Sequence, residues 1–248
     1  TLSSSSAASD VYKSQNYMHI VNKIALIRNS RKGDNPSLAE FSKLIIDSGG
    51  DGITVHPRPD KRHIRPEDLG DLSEITKNRK VEFNIEGNPK SKRLGDYPGF
   101  MTLIENIKPD QCTLEPDNPD QLTSDHGWNI FSEQEELIEV LNKLKSLNIR
   151  SSIFIDADKS QLDAAKDIGV DRVELNTGPY AEAFLKNDER ILSLYEEVIA
   201  YGNEIDLDLN AGHDLNLDNL STLLAYGEIK EVSIGHALII ESLMHGIE

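Results

Sequence analysis

Short apolar runs alternate with amphipathic stretches along almost the whole chain, and no other feature constrains the fold as much. The runs predict eight strands, near 18–22, 52–56, 81–86, 111–115, 150–155, 172–176, 205–210 and 231–235. Between them, 37–48 places Leu38, Phe41, Leu44 and Ile45 on one helical face. The stretch 133–147 does the same with Leu137, Val140, Leu141 and Leu144, and Ser132 with Glu135 has capping-box spacing. Further helices are expected over 160–168, 181–201 and 217–226, and the tail 237–248 supplies a short closing helix. The interval 87–110 is the least regular, because Pro89, Gly95, Pro98 and Gly99 break any long helix.

Strand–helix alternation implies parallel strands joined by right-handed crossovers. Eight units of roughly 30 residues match a closed (β/α)8 barrel of the TIM type. The competitor is an open doubly wound sheet, which usually carries a Gly-rich turn after its first strand, and no such turn is present. The expectation is an α/β fold: a single barrel domain over 18–248 behind an N-terminal extension, residues 1–17, that lacks apolar periodicity and is loose.

Composition narrows the function. A formal net charge of −17 over 248 residues argues against nucleic acid as a partner. No run approaches the ~20 apolar residues of a membrane span. Residues 1–17 lack the basic start and apolar stretch of a secretory signal. The lone Cys112 excludes an internal disulfide and suits a reducing compartment, most simply the cytoplasm. Yet seven of the 26 Lys and Arg fall in two short loops, Arg28–Lys32 and Arg58–Arg65, each following an expected strand. In so acidic a chain such clusters point to a small anionic ligand.

The chemistry lies at the strand ends. Runs finish in His56, Glu86, Asp156, Glu174 with Asn176, Gly212-His213 and Gly235-His236. In a closed parallel barrel these ends converge on one mouth, where barrel enzymes keep their active sites. Glu86 follows Phe83 and Ile85, so desolvation should raise its pKa into the range of a general base. Glu174 and Asn176 share a face opposite Val173 and Leu175 and must point into the barrel. The two Gly-His pairs after strands seven and eight suit phosphate binding by backbone N–H groups. Arg58 and His63 beside His56 suit a phosphate together with a carbonyl. The sequence shows no His-x-His, no His-Glu-x-x-His and no carboxylate cluster with metal-ligand spacing, so metal-independent acid–base chemistry is expected.

Several segments carry a resemblance to a known family: Asp51–Ile64, Glu82–Pro89, Phe154–Asp156, Glu174–Gly178, Asn210–Leu215 and Ser233–Ala237. In collinear order over residues 21–244, the chain resembles the pyridoxine 5′-phosphate synthases. The resemblance implies a (β/α)8 barrel that condenses 1-deoxy-D-xylulose 5-phosphate with 3-amino-2-oxopropyl phosphate. The products are pyridoxine 5′-phosphate, phosphate and water, and no metal or organic cofactor takes part. It also implies His56 and Glu86 as proton acceptors, His213 as proton donor and Glu174 as a transition-state stabiliser. Asn22, Lys23, Arg58, His63 and Thr123 would hold the deoxyxylulose phosphate. Arg31, Asp214, Gly235 and His236 would hold the amino-ketone phosphate. Homo-oligomers are implied as well.

One departure stands out. The family carries an Asn two positions before the residue matched by Asn22, and this chain has Ile20. Either the amino-ketone loses a hydrogen bond worth roughly 0.5–1.5 kcal/mol, or Asn16 or His19 substitutes. Ile20 and the short tail also motivate a second reading, a non-catalytic phosphate-sensing barrel. A third is a metal-dependent sugar-phosphate isomerase or aldolase using the same mouth.

Overall fold

The computed structural model describes residues 15–246. Eight parallel strands close a barrel in sequence order: β1 (Asn16–Ile20), β2 (Gly52–Val55), β3 (Glu82–Gly87), β4 (Gln111–Leu114), β5 (Arg150–Ile155), β6 (Arg172–Asn176), β7 (Asp208–Gly212) and β8 (Glu231–Ile234). Around it lie α1 (Asn22–Asn29), α2 (Leu38–Asp47), α3 (Asp68–Arg79), α4 (Phe100–Ile107), α5 (Ile130–Ser146), α6 (Lys159–Asp167), α7 (Gly178–Lys186), α8 (Glu189–Glu204), α9 (Leu220–Leu224) and α10 (His236–His245). The expected loose extension, residues 1–17, falls outside the described residues for its first fourteen positions, and Asn16 and Tyr17 belong to β1.

The period-2 alternation of the strands sorts side chains between two environments. Ile53, Val55, Phe83, Ile85, Cys112, Leu114, Ile153, Ile155, Val173, Leu175, Leu209 and Val232 point outward and join the helices in one hydrophobic cluster. Their alternates point inward, and many are polar: Thr54, Asn84, Gln111, Thr113, Ser152, Asn210, Glu231 and Ser233, all buried. Buried polar groups need partners. Asn84 Nδ2 donates to Thr54 Oγ1 (3.4 Å) and Thr113 Oγ1 donates to Asn84 Oδ1 (3.2 Å). At the N-terminal end Gln111 Nε2 donates to Glu231 Oε1 (3.1 Å), Arg172 Nη1 donates to Glu231 Oε2 (3.1 Å), and Arg150 pairs with Glu82. The barrel is thus floored by a charged network and opens at its other end.

Several boundaries differ from the sequence expectation. β1 ends at Ile20, because the chain turns into α1 at Val21–Asn22. β7 starts at Asp208, since α8 runs on to Glu204 with Gly202 packed against Leu209. The helix expected over 181–201 is two helices: Asn187 adopts a left-handed φ of 53°, and Asp188 caps α8 by accepting the Arg190 N–H (3.2 Å). The Ser132–Glu135 box does not form. α5 begins earlier, at Ile130, whose N–H is met by Gln161 Oε1 (2.9 Å), and the Ser132 hydroxyl donates to the Asn129 carbonyl (2.9 Å). Only the buried stripe Leu69, Leu72, Ile75 marks α3, a helix the apolar pattern had left unassigned.

Candidate active site

At the C-terminal mouth of the barrel a cavity of about 420 Å³ is lined by residues from the C-terminal halves of all eight strands and the loops that follow them. His56, Glu86, Glu174, His213, Arg58, His63, Asn22, Lys23, Thr123, Asp214, Gly235 and His236 all contribute to it. A second hollow of about 690 Å³ adjoins it between α7 and α10, and Thr123, His213, Asp214 and His236 line both. Arg31 is not brought there. It is exposed on the loop after α1, outside both cavities, because α1 ends at Asn29 before the chain swings into solvent.

Several of these side chains are held by their neighbours. Asn22, first residue of α1, accepts the His56 backbone N–H on Oδ1 (3.0 Å), which leaves its amide N–H₂ for the cavity. The His56 ring lies 3.0 Å, through Nδ1, from Glu115 Oε2, and both residues are buried. Ser124 Oγ lies 2.7 Å from the same Glu115 oxygen and 2.8 Å from Asp117 Oδ2. Asp117 in turn pairs with Arg58, whose Nη1 also donates to the Gln121 carbonyl (3.0 Å). Two of the five Arg58 donors are thereby used, and three remain for a ligand. Arg62 binds the carbonyls of Pro119, Gln121 and Leu122, so the two arginines clasp the β4–α5 loop over the cavity.

The imidazoles have distinct states. The Ile64 N–H donates to His63 Nδ1 (2.9 Å), which puts the ring proton on Nε2. Burial, then the charges of His56, Arg58, Arg62 and Lys23, push the His63 pKa down to about 2. His63 is therefore a neutral donor. His213 is the reverse case. Burial lowers its pKa, but the hydrogen bond and charge of Asp214, reinforced by Glu115 and Asp117, outweigh burial and raise it. Its Nε2 lies 3.0 Å from Thr123 Oγ1 and its Nδ1 3.4 Å from Asp214 Oδ2. His213 and Asp214 both hold positive φ, 96° and 56°, a strained backbone for side chains with a Cβ and one that concentrates at functional sites.

The acids are separated by environment. Burial first, then the charges of Glu115, Glu174, Glu231 and Asp117, raise Glu86 well above the ordinary carboxylate range. Among the described residues Glu86 has no hydrogen-bond or ion-pair partner. Glu174 is raised by burial and by Glu231 and Glu115, and its buried Oε2 has no hydrogen-bond partner among the described residues. It lies so close to Gly212 that a Cβ there would overlap Oε1, which explains the glycine. Burial acts on Glu115 in the same upward sense, but the charge and hydrogen bond of His56, the Ser124 hydroxyl and Arg58 prevail and lower it. Two neighbouring carboxyls pushed in opposite directions make a proton-holding acid beside an ionised one, the arrangement acid–base chemistry requires.

Sequence reasoning passed over Glu115, Asp117 and Ser124. The signal was there: Gln111–Leu114 ends in Glu115, the same strand-end pattern as the other acids. It also missed that His56, Glu86 and Glu115 offer ligand atoms all within 4.8 Å of one another, a possible metal-ligand set assembled from three strands that linear spacing cannot reveal. The Ile20 question is answered by position. Ile20 lines the cavity against Gly235, while His19 lies against Gly50 outside it and Asn16 pairs with Glu231 at the floor. Neither polar residue replaces the missing amide.

Fold and site together define a (β/α)8-barrel enzyme whose mouth gathers cationic anchors around proton-bearing acids and imidazoles. Residues 19–248 match the family described as "Pyridoxal phosphate biosynthesis protein PdxJ", and the chain belongs to that family. It is 45% identical over 230 residues to a pyridoxine 5′-phosphate synthase of Xanthomonas axonopodis pv. citri, covering 92% of this chain and 90% of the relative. The corresponding enzyme of Cytophaga hutchinsonii is also 45% identical, over 229 residues and 92% of each chain. Solved structures share the fold alone. A tryptophan synthase α-subunit from Pyrococcus furiosus superposes with a TM-score of 0.61 at 14% identity, over 95% of this chain and 92% of that one. Deoxyribose phosphate aldolase from Aeropyrum pernix gives 0.60 at 12%, over 96% and 92%.

Proposed function

We propose that this chain is a pyridoxine 5′-phosphate synthase, joining 1-deoxy-D-xylulose 5-phosphate to 3-amino-2-oxopropyl phosphate with loss of phosphate and water. The observation that carries the reading is the shared cavity of His56, Glu86, Glu174 and His213, in a chain 45% identical to enzymes of that name. Forming an imine, dehydrating, expelling phosphate and closing a ring need several proton transfers, and this mouth offers acceptors and a donor in different protonation states.

The roles follow from the surroundings. Lys23, Arg58, His63 and Thr123 line the cavity and suit the deoxyxylulose phosphate, with Asn22 offering its amide. Gly235, first residue after β8, opens α10, whose N-terminus attracts an anion. With Asp214 and His236 it suits the amino-ketone phosphate. Arg31 could join it only by a movement of its loop. Glu86 takes a proton once a cationic amine beside it lowers its pKa. His56 is the second acceptor, His213⁺ the donor, and Glu174 stabilises developing positive charge. The net charge of −17 weighs against nucleic-acid partners. Among the described residues no helix is long and apolar enough to cross a membrane. A cytoplasmic homo-oligomer fits the lone buried Cys112 and the exposed Leu26, Ile27, Leu243 and Met244 of α1 and α10.

The test is to mix purified protein with both phosphates, with and without a chelator, and follow the pyridine chromophore. Product in both samples supports the synthase. Binding of both phosphates without product would support the sensing barrel, and loss of activity to the chelator would support the metal-dependent reading.

A further inference from the structure

Among the residues at the mouth, the buried carboxylate of Glu115 has the closest engagement with a proposed acid–base group and has been given no part in the chemistry. We propose that Glu115 is a positioning residue for His56: it accepts the Nδ1 proton, fixes the ring tautomer and presents Nε2 to the substrate. This rests on the synthase reading and assigns a residue that reading leaves out.

The geometry supports it from three sides. Glu115 Oε2 lies 3.0 Å from His56 Nδ1, and the two side chains are only 5% and 8% exposed. A carboxylate in that position forces the proton of a neutral imidazole onto Nδ1, so Nε2 carries the free lone pair and can act as a base. Second, the ring has little freedom. Asn22 holds the His56 backbone N–H, and the His63 ring meets His56 edge-on with centroids 6.0 Å apart. Third, Glu115 is itself braced. The Ser124 hydroxyl lies 2.7 Å from its Oε2, and Ser124 also reaches Asp117, which pairs with Arg58. A group held this way does for His56 what an orienting carboxylate does in other acid–base pairs: it sets the tautomer and stabilises the imidazolium once the proton has arrived.

The experiment reads the tautomer first. Two-bond ¹⁵N–¹H correlation spectra of histidine-labelled protein, without substitution, should show neutral His56 protonated on Nδ1; protonation on Nε2 would overturn the proposal. Glu115→Ala should then lose roughly 10²-fold in kcat with KM changed less than about threefold, and its His56 signal should become a mixture of tautomers. Glu115→Gln, which keeps an acceptor for Nδ1–H, should retain the tautomer and recover part of kcat. A Glu115→Ala protein with the parent kcat, pH profile and tautomer would refute the assignment. Absence of product from the unsubstituted protein would instead refute the synthase reading, with the tautomer still decided by the spectrum.

Discussion

The two ends of the barrel hold buried acids in opposite ways. At the floor, Glu231 is wholly buried but faces Arg172, Gln111 and Arg150, and Glu82 pairs with Arg150. At the mouth, Glu86 and Glu174 are also buried, yet among the described residues no cation pairs with them and Glu174 Oε2 has no hydrogen-bond partner. A buried charge without a partner costs stability and is protonated instead. The floor therefore reads as structure, and the mouth as a place that waits for a cationic or proton-donating ligand. Substitutions should separate the two.

The largest effect falls at the mouth. Glu86→Gln should lower kcat by roughly 10³-fold, with phosphate binding by calorimetry within a few-fold of the parent, and a denaturant midpoint at or above it because an unpaired acid has been removed. Retained turnover would break the contrast. At the floor the signs reverse. Burial and the charge of Glu82 push Glu231 up to about 7, against Arg172, Arg150 and Gln111. A folded pKa above the unfolded value means its contribution to stability is present at low pH and is lost as pH rises through about 7. Arg172→Met removes one opposing cation, so it should cost up to about 3 kcal/mol above pH 7 and less below it, with kcat unchanged. Urea titrations at several pH values measure this.

How much of this contrast the sequence foretold depends on the element. The outward-facing Ile, Val and Leu repeat every second residue, so strand count, closure and the side facing the helices were legible from periodicity alone. His56, Glu86, Glu174 and His213 were legible because each ends a strand in a fold whose strand ends converge. The floor was not. Glu231, Gln111 and Arg172 come from β8, β4 and β6, and nothing in linear order says that they meet. Glu115 carried the same strand-end signature as the acids that were noticed. Its partnership with His56 depends on barrel closure and on the loop bringing Ser124 back, which spacing does not encode. Arg31 shows the converse: a motif match places a residue in a segment but not its side chain in the cavity.

The pH profile sharpens the mouth further. Glu86 must be deprotonated to accept, so kcat/KM should fall below its pKa, placing the acid limb above the ordinary carboxylate range. His213 must be protonated to donate, so activity should also fall above its raised pKa. Asp214→Asn removes the main influence raising His213, and should move the alkaline limb to lower pH while leaving the acid limb in place. The smallest expected effect is at Ile20. Ile20→Asn adds one amide beside Gly235, and should lower KM for the amino-ketone phosphate by a few-fold, about 1 kcal/mol at most.

The most direct measurement is an infrared titration of the free protein labelled with ¹³C-glutamate, comparing parent and Glu86→Gln. The expected result is a protonated carboxyl signal that persists in the parent after the surface carboxylates have ionised, and is missing from the variant. A Glu86 that ionises with the solvent-exposed acids of the surface would contradict the assignment of an unpaired, proton-bearing acid at the heart of this mouth.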